Sequence, residues 1–158
     1  MNARDTIRRS LAVTAVASAL LVALPPSAQA APAGATGGCW HTGCDGKDPA
    51  AYCQGDARTV GSFSLPSGSG YRVVELRYSP SCEAIWARMS KGYYDVNNAA
   101  APHTKIIRNS DGRSYQCTVP YNGGSCYTAM VGDHNVTSYA YGLYDGSTYV
   151  YTGRTGNY

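Results

Sequence analysis

The chain has 158 residues with 13 Lys+Arg against 10 Asp+Glu, a formal charge of +3. Arg4, Arg8, Arg9 and Asp5 all fall in the first thirty residues, so the remainder is close to neutral and has no Lys/Arg cluster, which leaves no basis for electrostatic capture of nucleic acid or an anionic membrane. With 1 Phe, few Leu and Ile, 14 Tyr, 2 Trp and 6 Cys, the interior must be built from tyrosine rings, alanine and half-cystines, a thin core in which covalent staples matter.

Residues 1–30 read as a secretory signal peptide. Arg4, Arg8 and Arg9 form the basic region, Leu11 to Leu24 is an apolar run too short to span a bilayer, and Ala28-Gln29-Ala30 is a small-x-small cleavage site. Arg8-Arg9 raises twin-arginine export, but the general secretory route is the expectation. No lipobox cysteine and no second apolar run follows, so the reading is a secreted, extracellular protein without membrane insertion. Residues 31–38, APAGATGG, read as a flexible extended arm, either a spacer or a slender segment able to thread a narrow cleft on a partner. Residues 39–158 read as one domain.

That domain opens on GCWHTGCDGKDP, Gly38 to Pro49. Cys39, His41, Cys44 and Cys53 are zinc-ligand types at irregular spacing, and export favours oxidation over metallation. Asp45, Asp48 and Asp56 supply hard oxygens but lack a calcium-loop order and a closing glutamate. Cys-x4-Cys in a Gly-rich loop is not a thiol-redox motif. The reading adopted is a stapled surface loop, with no metal, no cofactor and His41 an ordinary exposed histidine. A short helix is expected around Pro49 to Gln54.

The six cysteines, Cys39, Cys44, Cys53, Cys82, Cys117 and Cys126, read as three disulfides among 15 possible pairings. In QCTVPYNGGSCYTA, the Asn122-Gly123 turn signal between strand-like runs predicts a hairpin that brings Cys117 to Cys126. The other four are assigned as Cys39–Cys44 and Cys53–Cys82, an assignment the sequence does not force.

From Thr59 onward the chain reads as strands and turns. The expected strands are 58–65, 71–79, 82–90, 104–110, 114–119, 126–131, 136–144 and 147–153. In 71–79, Val74, Leu76 and Tyr78 alternate with Val73, Glu75 and Arg77; residues 82–90 fit a strand or a helix, with a hairpin favoured by the short connection. Residues 97–103 read as a loop, and Asp145-Gly146 as a hairpin turn. About eight strands predict an all-β, compact antiparallel sandwich or barrel, stapled by disulfides.

The chemistry is sparse. There is no Gly-x-Ser-x-Gly, and although Asp133 adjoins His134, adjacency is not triad geometry. Glu75 and Glu83 do not stand out as a glycosidase pair. Tyr139 and Tyr141, like Tyr149 and Tyr151, share one face of a strand; exposed, they form an aromatic platform for sugars, wall polymer or protein, whereas the low aliphatic count weighs toward burial. Tyr139 and Tyr141 are carried as candidate binding residues.

Cys44-Asp45-Gly46-Lys47-Asp48-Pro49, Cys53, Asp56-Ala57, Val74-Glu75-Leu76-Arg77-Tyr78-Ser79, Cys82 and Trp86-Ala87-Arg88 together resemble the YjfA-like family of small secreted bacterial proteins, a domain of unknown function. The resemblance covers Cys39 to about Met89, with a looser match in the Tyr-rich second half. It implies a secreted disulfide-containing module and brings no catalytic residues. Small adaptor subunits of secreted toxin assemblies are similar in outline. Within the motif, Glu75, Arg77, Glu83 and Arg88 are expected on one hairpin as cross-strand ion pairs or as a ligand patch anchored by Trp86. The candidate binding residues are therefore Trp86, Arg77, Arg88, Tyr139 and Tyr141. The functional expectation is a non-enzymatic binding or adaptor module for an extracellular protein or cell-surface polymer. The rivals are a small hydrolase using His103 or His134, and a protease inhibitor.

Overall fold

A computed structural model describes residues 38–67, 70–92, 100–121, 123–146 and 148–158. The expected signal peptide and all of the arm but Gly38 lie outside the described residues, as does most of the 97–103 loop.

The strands are β1 (Arg58–Ser67), β2 (Gly70–Ser79), β3 (Ala84–Gly92), β4 (His103–Arg108), β5 (Ser114–Thr118), β6 (Gly124–Tyr127), β7 (Val131–Gly132), β8 (Ser138–Asp145) and β9 (Val150–Arg154), with one short helix, α1 (Pro49–Tyr52). They form two antiparallel sheets. The first runs β1-β2-β3-β6 with β7 also on β3, and the second runs β5-β4-β8-β9. The fold is a sandwich rather than a closed barrel.

The inner faces follow from period-two alternation. Leu65, Val74, Leu76, Ile85, Ala87 and Met89 of the first sheet meet Ile106, Ala140 and Tyr144 of the second, with Phe63 and Tyr151 packed against them. Gly142 and Gly153 make this close approach possible: a Cβ at either would collide with Val74 or the Phe63 ring. The single phenylalanine thus sits where the opposite sheet has no side chains.

The strand β3 explains its own ambiguity in the sequence. Residues 84–87 are all buried, because Ile85 and Ala87 face the sandwich core while Ala84 and Trp86 face outward beneath a second layer. That layer is the cap, residues 39–57. It contains a 3-10 turn at His41–Cys44, α1, and a second 3-10 turn at Gln54–Asp56. Asp48 starts α1 by accepting a hydrogen bond from Ala50 N at 2.8 Å, with Pro49 at the first helical position, where its missing N–H costs nothing. Cys39, Cys44, Cys53, Cys82, Ala84, Trp86 and Met130 form a second small core beneath the cap.

The disulfides join Cys39 to Cys44, Cys53 to Cys82 and Cys117 to Cys126. The hairpin expected around Asn122-Gly123 is not formed. Cys117 lies on β5, which pairs with β4, and Cys126 lies on β6, which pairs with β3. The chain between them crosses from one sheet to the other, Val119 N donating to Pro102 O, so this bridge ties sheet to sheet. The strand expected over 126–131 is split into β6 and β7. Between them Thr128 exchanges hydrogen bonds with Ala87, and Met130 N turns to Lys47 O of the cap.

Candidate binding groove

On β2 the residues Val73, Glu75, Arg77 and Ser79 point away from the sandwich core, and register places Arg88 opposite Glu75 and Trp86 opposite Arg77. On the far side of β3, Tyr127 of β6 lies opposite Arg88. The cap covers only the Trp86 end of this outer face. Where it stops, a cavity of about 340 Å³ opens, lined by Trp86, Arg88, Ser125 and Tyr127 of the sheet and by Ala50 and Gln54 of the cap. Trp86 is buried at 1 % exposure and forms part of the lining, whereas Tyr127 is 45 % exposed.

A polar network flanks the groove. Arg88 Nη1 pairs with Glu75 Oε2 at 3.1 Å. Thr59 Oγ1 donates to Glu75 Oε1 and accepts from Arg77 Nη1 at 2.9 Å, and Arg77 Nη2 donates to Ala57 O in the cap. Asp56, just before Ala57, fastens the cap to the turn leading into β3. Burial would raise its carboxyl, but hydrogen bonds from Ser79 and Ser81 outweigh that and hold it below its ordinary value. Arg88 and Arg77 are thus held in fixed orientations by partners in β1, β2 and the cap.

The five candidate residues do not form one site. Trp86, Arg77 and Arg88 share the outer face of the first sheet. Tyr139 and Tyr141 are half-buried on the outer face of the second sheet, beside Arg154 and His103 respectively, on the opposite side of the sandwich. The burial weighed for them falls instead to Tyr144 and Tyr151, which point inward from β8 and β9 and stack with ring centres 6.4 Å apart. Trp86 cannot be an exposed anchor, because the cap covers it. Glu83 leaves the hairpin face and pairs with His134. Tyr127, Ser125 and Gln54 were missed by the sequence reading; their place in the groove depends on a sheet crossover and on the cap, neither of which has a local signal.

The histidines and metal-ligand types are placed as follows. His103 Nδ1 contacts Ala101 O at 3.1 Å. His134 does not pair with Asp133. Asp133 turns inward and accepts a hydrogen bond from Ser138 Oγ at 2.6 Å, and burial pushes its carboxyl up to about 6 against the lowering effects of that bond and of Arg108. The sulfurs of Cys39, Cys44, Cys53 and Cys82 all lie within 4.8 Å of one another, but as two disulfides they offer no thiolates to a metal. Asp45, Asp48 and Asp56, the oxygens of the calcium reading, are separated into three local roles: an ion pair, a helix cap and a turn anchor.

Fold and groove together define a small disulfide-stapled β-sandwich with a covalently anchored cap. The chain belongs to the family described as protein of unknown function (DUF2690), whose model matches residues 42–141, from the cap into β8 and well beyond the half carried by the sequence motifs. It is 34% identical over 125 residues to the uncharacterized protein YjfA of Bacillus subtilis (strain 168), covering 72% of this chain and 79% of that protein. No solved structure matches it significantly. No helix among the described residues is long and apolar enough to cross a membrane.

Proposed function

We propose that this chain is a secreted, non-enzymatic binding module that engages an extracellular protein through the groove beside the cap. The observation that carries the reading is the lining itself. An arginine held by an ion pair and a half-exposed tyrosine converge on one concavity floored by the buried Trp86, and arginine and tyrosine are among the side chains that dominate protein–protein binding energy. Rigidity lowers the cost of association, since Arg88 is already oriented by Glu75 and the cap is closed by two disulfides. Secretion is supported by the three disulfides and by the leader pattern of residues 1–30. An adaptor role, within a toxin assembly or at a cell surface, would use residues 31–38 as a second point of attachment.

The test is co-purification from native culture fluid with residues 31–158 carrying a C-terminal tag on a flexible linker. Three forms are compared: the parent, Arg88→Ala with Tyr127→Ala, and a form lacking residues 31–38. A stoichiometric protein retained by the parent and lost from the double variant is the expected result. Equal retention by the double variant would remove the groove from the function. Absence of any protein from all three would turn the search to cell-wall polymers.

A further inference from the structure

Away from the groove, three segments distant in sequence bring two histidines, a tryptophan and a glutamate together. The ring centres of His41 and His134 lie 5.5 Å apart with their planes at 79°. Trp40, 52 % exposed, lies 5.6 Å from the first ring and 5.3 Å from the second. His134 Nδ1 pairs with the Glu83 carboxylate.

We infer that His41 and His134 form a binding site for a divalent late-transition-metal ion, zinc or copper. Two imidazoles on one tetrahedral ion, with metal–nitrogen distances of about 2 Å, place their ring centres about 5 Å apart. The observed separation of 5.5 Å fits that arrangement. Glu83 Oε2 lies against Nδ1 of His134 without hydrogen-bond geometry, so Nε2, at the free end of the ring, is the ligand nitrogen and Glu83 contributes a nearby negative charge that favours a cation. Asn135 Nδ2 rests 2.7 Å from that Nε2; it belongs to an exposed side chain that has only to rotate aside. Water completes the coordination.

The backbone supplies a second, independent observation. Among the described residues, the non-glycine residues with positive φ are His41 (49°), Glu83 (45°) and Asn135 (55°). Asparagine tolerates this region, but histidine and glutamate visit it at a cost of roughly 1 kcal/mol or more, and such strain concentrates at ligand sites. Each strained segment is held from outside. His41 lies within the Cys39–Cys44 loop, and Glu83 follows Cys82 of the Cys53–Cys82 bridge. The His134 turn follows Gly132, where a Cβ would fall on the His41–Thr42 peptide. His41 N also donates to Cys82 O at 2.8 Å, so the two disulfide-anchored segments are bonded to each other.

The chain contains three histidines, which makes the test clean. Untagged, oxidised residues 31–158 are stripped with chelator, dialysed and titrated with Zn²⁺ by calorimetry and with Cu²⁺ by tryptophan fluorescence. The expected result is one ion per chain at micromolar metal, with Cu²⁺ quenching the Trp40 emission. His41→Ala and His134→Ala should each weaken binding by at least about ten-fold, Glu83→Gln by a smaller factor, and His103→Ala not at all. Trp40→Phe should keep the Zn²⁺ affinity and lose most of the quenching. Near-UV circular dichroism of each metal-free variant establishes that it is folded. No binding by the parent, or undiminished binding by the folded His41→Ala, His134→Ala double variant, would overturn the assignment.

Discussion

Asp45 of the cap and Arg108 at the end of β4 form a two-point ion pair, Nη1 to Oδ1 at 2.9 Å and Nη2 to Oδ2 at 3.2 Å, with both side chains nearly buried. Arg108 also binds Asp111 at 2.7 Å and the Gly132 carbonyl, while Asp45 accepts from Gly132 N at 2.8 Å. Through this knot the second sheet holds the cap and β7, and hence both the groove and the histidine pair. The hydrogen bond to Arg108 is the main reason Asp111 is held far below the ordinary carboxylate range.

Arg108→Ala should therefore destabilise the fold by about 2–3 kcal/mol, less than for a fully isolated buried ion, because Asp45 keeps Arg113 Nη1 at 3.1 Å and Gly132 N as partners. Urea denaturation measures this. The double variant Asp45→Leu, Arg108→Met should cost clearly less than the two single changes added together, as expected for residues that act as one unit. Additive costs would mean that the pair contributes nothing as a pair.

Gly132→Ala tests the seam between β7 and the cap. The new methyl would overlap the His41–Thr42 peptide, a backbone contact that no rotamer change relieves. A loss of about 2–3 kcal/mol is expected, together with weakened Zn²⁺ binding. Gly43→Ala, with open space around its Cβ, is the matched control and should unfold at nearly the parent temperature.

The bridges differ in what they close. Cys117–Cys126 spans 9 positions and Cys53–Cys82 spans 29. In the chain-entropy account, removing the first by paired Cys→Ala changes costs about 2–3 kcal/mol and removing the second about 3–4 kcal/mol. Only loss of the second, which frees the cap from the turn before β3, should also abolish partner capture and metal binding. Chemical denaturation and calorimetry on the two paired variants check both statements.

Asp133 makes stability fall with rising pH. Its carboxyl has an ordinary value of 3.8 and is raised by burial to about 6. The native state therefore holds the proton more tightly than the unfolded chain does. Its contribution is greatest below about pH 4, declines as pH rises toward 6, and is flat above that. Asp133→Asn keeps an acceptor for Ser138 and removes the buried charge, so it should stabilise by about 1–2 kcal/mol at pH 7.5 and by almost nothing at pH 4. Thermal melts in chelator-containing buffer at the two pH values decide it; an equal effect at both would mean that charge is not the cause.

The sheets were legible where one face meets the core and the other meets solvent. In β2 the alternation of Val74, Leu76 and Tyr78 with Glu75 and Arg77 assigns each side chain to its face from residue order alone. Alternation was blunted where burial is two-sided: Ala84, Trp86 and Arg88 share one face of β3, but the cap buries Ala84 and Trp86 as the core buries Ile85 and Ala87. It failed at the crossover after Cys117, where Asn-Gly is equally compatible with a hairpin and with a passage between sheets. Tyr139 and Tyr141 show the same limit, since a Tyr-x-Tyr pattern sets a common face without saying which one.

By itself the sequence determined the class: an all-β, three-disulfide chain, near neutral after residue 30, with a tyrosine-rich and thin core. These properties depend on composition and short-range periodicity, which the chain carries locally. Only the tertiary structure decided that Trp86 is covered, that Arg88 and Tyr127 share a groove with Gln54, and that His41 meets His134. Those contacts are set by sheet order, by the cap folding back over β3, and by disulfides that close distant segments. Their energies arise between elements, so no stretch of sequence records them alone.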